Sequence, residues 1–113
     1  MGATASGLGE GSLVVLHCGA PREKMWGVMV RLDGAGVVLR GLDLESVEDW
    51  LRQEKAGTDP LITPTTFFVP MQRVQRIDLD ESTAVVAGYG DRFEAACGRS
   101  AKEALLGPSG PAA

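Results

Sequence analysis

"MWGVMVRLDGAGVVLRGLDL", residues 25–44, is the stretch that decides the fold. Trp26, Val28, Val30 and Leu32 recur at period two and fall on one face of an extended chain. Gly27, Met29, Arg31 and Asp33 fall on the other. "DGAG", 33–36, is a tight-turn signal, because glycine takes positive φ freely. "VVLRGLDL" then returns as a second strand. The stretch is a β-hairpin, and its Trp26 face is predicted to be buried.

Upstream, "SLVVLHC" (12–18) is a short Val-rich run that reads as another strand. "GAPREK" (19–24) separates it from the hairpin: Gly19 and Pro21 punctuate the chain and Arg22, Glu23 and Lys24 seek water. Residues 12–42 are therefore predicted to form an antiparallel meander of three strands. Residues 1–11, rich in small side chains, read as a flexible leader.

Downstream the period changes. Leu44, Val47, Trp50 and Leu51 share one helical face, which predicts a helix over 43–56 inserted after the third strand. Asp43 is the first capping candidate and Ser46 a second. Glu45, Glu48 and Asp49 suit the positive end of the helix dipole, and Gly57 is the expected stop. Trp50 is expected to anchor this helix to the sheet. "TTFFVP" reads as a strand ending at Pro70, and "MQRVQRIDL" as one helical turn feeding a last strand. "GYGDRFEAACG" and "SAKEALL" carry short helices, the second opened by a Ser100–Glu103 capping box. The expected fold is mainly β, of the α+β class: a small five-stranded barrel over 12–98 with a weakly ordered, partly helical tail over 99–113.

Gly27-x-Met29-x-x-Leu32-Asp33 resembles the first motif of the Sm-like fold, and "FFVPMQRVQRIDL" resembles its closing strands. The likeness covers 12–79. It implies a bent SH3-like barrel, ring oligomers and single-stranded RNA binding, although the family's asparagine after the Asp33 turn and its Arg-Gly pair have no counterpart here. "GVMVRLDGAGVVL" is similar to the strand-turn-strand motif of PilZ domains, with Gly36 as the late glycine. That likeness implies a cyclic-dinucleotide ligand, with Arg22 as the one arginine available upstream. "PREK", "WG", "RGLDL" and "EDW" together look like a group of short bacterial proteins.

With 113 residues the chain is expected to be one domain, and its net charge of −4 weighs against a general binder of nucleic acid or anionic membrane. No run is long enough to span a bilayer. "MGATAS" fits the loose myristoylation pattern, but a small-residue leader is the expected reading because no polybasic second anchor accompanies it. A disulfide between Cys18 and Cys97 is arithmetically open. Reduced thiols in a cytoplasmic chain are the expectation, as no secretory segment precedes them.

The chain offers little for catalysis. His17 and Cys18 are adjacent on a strand and so point to opposite faces. One histidine and two cysteines cannot build a four-ligand zinc site. "DLDE" (78–81) lacks the spacing and glycine of a calcium loop, and is expected to be a solvated strand end. No phosphate loop or nucleophile elbow occurs. The expectation is a non-enzymatic interaction module with no cofactor or metal, self-associating through edge strands or the Trp50 helix. The alternative is RNA or cyclic-dinucleotide binding through a basic hairpin face of Arg22, Lys24, Arg31 and Arg40, which otherwise serve as solubilising charges paired with nearby acids.

Overall fold

A computed structural model describes residues 7–107. Five strands form one antiparallel sheet in the order β4-β3-β2-β1-β5: β1 is Leu13–Cys18, β2 Glu23–Asp33, β3 Gly36–Asp43, β4 Thr65–Pro70 and β5 Val74–Leu79. A 3-10 turn, Leu44–Ser46, leads from β3 into helix α1, Val47–Ala56. A second 3-10 turn, Met71–Arg73, joins β4 to β5. Helices α2, Tyr89–Cys97, and α3, Ala101–Leu106, end the described chain.

The register dictates the shape of the sheet. Pro70 ends β4 opposite Gly36, which pairs with Asp33 at the far end of β2. Val74 begins β5 opposite Cys18, which pairs with Glu23 at the near end of β2. Laid flat, those two corners would stand a whole β2 length apart, roughly 33 Å. Only Met71–Arg73 lies between them, and that much chain spans at most about 14 Å. The sheet must therefore roll until its opposite corners meet.

Two local features allow the roll. Met29 pairs with Leu39 and Arg31 with Val38, so Val30 is an extra residue in a bulge that bends β2. Gly27 and Gly41 face each other across β2 and β3. A Cβ on either would collide with the opposite backbone, lying 2.7 Å from the partner's Cα. Two side-chain-free residues at this crossing let the strands close on the concave side.

The rolled sheet does not close into the barrel predicted from sequence. β4 lies over the second half of β2 and β5 over the first. The linking turn joins their ends without laying them side by side, and no ladder connects them among the described residues.

Both faces of the sheet are buried, each against a different core. The concave side encloses Val14, Leu16, Cys18, Met25, Met29, Val37, Leu39 and Val69. The convex side carries Trp26, Val28 and Leu42 against Val47, Trp50 and Leu51 of α1, Phe93 of α2, and Ala101 and Leu105 of α3. This corrects the predicted single buried face of β2. Met29 is buried, whereas Val30 and Leu32 are exposed because the bulge carries the end of the hairpin past both cores.

Val47, Trp50 and Leu51 of the predicted helical face are buried, but the α-helix begins at Val47 and not at 43, Leu44 is half-buried on the 3-10 turn, and the helix stops at Gly57 in the left-handed conformation. Neither Asp43 nor Ser46 caps with its side chain. Ser100 does cap α3, accepting from the Glu103 N–H. Residues 1–6 of the predicted leader lie outside the described residues. Residues 7–11 run back along the sheet: Gly11 N–H donates to Met29 O, and Leu32 N–H to Glu10 Oε2. No described helix is long and apolar enough to cross a membrane.

Aromatic rings bind the convex core. Trp26 lies 5.8 Å from Trp50 and 6.1 Å from Tyr89, and Trp50 stacks on Phe93 at 5.0 Å. Trp26 is fully buried, so its indole N–H needs an acceptor. Asp80 Oδ2 supplies it at 3.1 Å. The same carboxylate accepts from the Tyr89 and Gly90 N–H groups, both at 2.8 Å, and so caps α2. The predicted solvated strand end is instead the point where sheet and helix are tied.

Replacing Asp80 by Ala removes all three acceptances and is expected to cost about 2–4 kcal/mol in urea unfolding. Gly41→Ala is expected to cost at least about 2 kcal/mol, because its clash is with backbone and no side chain can yield. A loss below about 0.5 kcal/mol for either variant contradicts the role assigned to it.

Candidate functional site

The loop between β1 and β2 is held from outside. Arg73, in the turn between β4 and β5, donates through Nε to Gly19 O at 3.1 Å and through Nη2 to Pro21 O at 2.8 Å. It also pairs with Glu23 at 2.9 Å, while its own carbonyl accepts from Gly19 N–H. Ala20 sits at φ 51°, in the left-handed region that costs a non-glycine residue about 1 kcal/mol. Arg73 fastens the chain on both sides of that residue.

This loop presents Arg22, and the start of β2 presents Lys24, to a groove of about 510 Å³. Glu23 lies between them, Asp43, Leu44 and Glu45 form another part of the lining, and Tyr89 of α2 also borders it. Tyr89 is in contact with Trp26 and lies under the Arg92 guanidinium, 5.7 Å from its ring centre. Among the described residues Arg22 and Lys24 make no ion pair.

Register sets a polar row beside Lys24. Lys24 stands opposite His17 on β1, and His17 opposite Arg76 on β5. Paired residues of antiparallel strands share a face, so the three form one row across the convex surface. Asp78 moderates this row: His17 Nε2 lies 2.8 Å from Asp78 Oδ2, and Arg76 Nε donates to Oδ1 at 2.7 Å. The Arg76 hydrogen bond, helped by His17, holds the Asp78 carboxyl below its usual range.

The other two basic residues of the predicted face lie elsewhere. Arg31 is at the hairpin tip, paired with Asp33 at 3.1 Å. Arg40 points toward the helices and donates to Leu105 O at 2.8 Å, closing the C-terminal end of α3. The hairpin arginines therefore join neither each other nor the Arg22–Lys24 groove.

His17 and Cys18 are on opposite faces, as strand geometry requires. Cys18 is buried in the concave core, and burial pushes its thiol pKa up. Cys18 and Cys97 are both free. Among the described residues no group of three or more His, Cys, Asp or Glu side chains is placed to hold a metal.

A second surface lies along β4. One side of this strand pairs with β3; its other side has no partner among the described residues. Its sequence, "TTFFVP", contains no charged residue, and Phe68 is 54% exposed. A groove of about 570 Å³ borders it, lined by Leu61, Ile62, Phe67 and Phe68 with Glu23 and Arg73 at the polar end. Leu61 is 94% exposed. Arg73 thus touches both surfaces, a role that its position in a short polar turn did not signal.

The depressed Asp78 pKa sets a pH dependence. Its contribution to stability is complete above the unfolded value near pH 4 and is lost as pH falls through the folded value. Asp33, held low mainly by the Ala35 N–H, and Glu48, held low by Arg92, act in the same direction. Asp78→Asn is expected to be less stable than the parent at neutral pH, with the gap narrowing below about pH 4 in urea titrations. A gap that stays constant across that range refutes the assignment.

The chain matches no family model, no curated protein and no solved structure.

Proposed function

We propose that this protein is a non-catalytic interaction module that associates with further copies of itself through its free strand edges. The observation that carries this reading is the outer edge of β4. Edge strands of soluble proteins are guarded by charges, bulges or prolines against pairing with another chain. β4 has no charge along its length, Pro70 stands only at its end, and Phe68 is exposed beside a groove of mixed polarity that Leu61, Ile62 and Phe67 also line. An added strand would complete the ladder through main-chain hydrogen bonds and lay alternate side chains in that groove.

A second copy is the occupant that suits this edge. Among the described residues each chain has a second unpaired edge, β5, on the other side of the same sheet, whose Arg76 and Asp78 are already paired with each other. Pairing β4 of one copy with β5 of the next satisfies both edges by one repeated head-to-tail contact, which forms a ring where the rotation closes and a filament where it does not. The free thiols support a reducing, cytoplasmic setting. The RNA and cyclic-dinucleotide alternatives draw less support, since Arg31 and Arg40 are engaged at separate places.

Sedimentation velocity from low to high micromolar concentration is expected to show a mass that rises with concentration. Phe68→Lys, which places a charge on the edge, is expected to weaken association by roughly tenfold or more while leaving the fold intact by circular dichroism. A monomeric mass at every concentration, or association indifferent to Phe68→Lys, overturns the proposal.

A further inference from the structure

We propose that the groove between the Arg22–Lys24 loop and the 3-10 turn Leu44–Ser46 binds a small phosphorylated, hydroxyl-bearing molecule of the sugar-phosphate class. The site is separate from the β4 edge and does not depend on self-association.

The first argument is the unusual state of its cations. Arg31, Arg52, Arg73, Arg76, Arg92 and Arg99 each have a carboxylate partner, and Arg40 has a carbonyl. Among the described residues Arg22 has neither, and Lys24, like Lys55 and Lys102, has no ion pair, in a chain where acids outnumber bases. A phosphomonoester offers Arg22 and Lys24 a shared anion and takes the forked donors of an arginine in a bidentate manner.

The second argument is rigidity. Arg73 grips the backbone at Gly19 and Pro21 and the side chain of Glu23, so the segment carrying Arg22 and Lys24 is fixed before any ligand arrives. Prior ordering spares a ligand the cost of freezing a loop.

The remaining lining selects the size and kind of anion. Glu23, Asp43 and Glu45 line the groove that Arg22 and Lys24 enter, and the charge of Glu23 is answered by Arg73. The Asp43 and Glu45 carboxylates repel a second phosphate, which excludes nucleic acid and anionic membrane, but they accept hydrogen bonds from ligand hydroxyls. Tyr89 is already occupied by Trp26 and Arg92, so it adds its rim and hydroxyl and not a free platform for a base. A volume of about 510 Å³ suits a single small molecule.

The test is calorimetric titration of the full chain with ribose 5-phosphate, ribose, inorganic phosphate and a single-stranded oligonucleotide. Ribose 5-phosphate is expected to bind saturably and more tightly than inorganic phosphate, with no heat from ribose. The Arg22→Ala, Lys24→Ala double variant is expected to lose affinity by roughly tenfold or more, and Asp43→Asn with Glu45→Gln to weaken ribose 5-phosphate severalfold without weakening inorganic phosphate. Absence of saturation, binding indifferent to either double variant, or tighter binding of the oligonucleotide overturns the proposal. Circular dichroism of each variant separates a lost site from a lost fold.

Discussion

Three residues, Met71–Arg73, carry the constraint on which the architecture depends. They tie together two corners of the sheet that pairing alone would hold far apart, so the sheet is compelled to roll. The roll needs a place to bend, which the Val30 bulge and the Gly27–Gly41 crossing provide. It also creates an inside, the concave core around Leu16, Met29 and Leu39. The turn that imposes the shape also reaches across to the β1–β2 loop through Arg73. The loop bearing the free cations is therefore positioned by the same element that shapes the sheet.

The convex side is organised by a different interaction, the meeting of Trp26 with Asp80. A buried indole N–H demands an acceptor, and the first exposed N–H groups of α2 demand another. One carboxylate answers both. It fixes where α2 begins, and with it Tyr89 at the rim of the groove and Phe93 against Trp50. Trp26 is thus structural, and the chemistry beside it belongs to the charged loop.

Much of this was legible in the residues themselves. The three-four spacing of Val47, Trp50 and Leu51 gave α1, "DGAG" gave the hairpin, and Ser100–Glu103 gave the α3 cap, because each is a local pattern with a local cause. Burial of Val30 and Leu32 was misread because a bulge is a mismatch between two strands, invisible in either alone. Asp80 was misread because its indole partner lies 54 positions away in the chain. Likewise, whether Arg22, Lys24, Arg31 and Arg40 share a face depends on register and bend. Register put Lys24 with His17 and Arg76, and the fold sent Arg40 to the end of α3.

The division into two cores has an optical consequence. Both tryptophans and the only tyrosine lie in or against the convex core, and the concave core contains neither residue type. Intrinsic fluorescence therefore reports the helices leaving the sheet and is nearly silent about the rolled interior. The interior has its own reporter in Cys18, whose thiol is shielded until the concave side opens. Trp emission and thiol labelling followed together resolve whether the two sides of the one sheet come apart as a single cooperative unit.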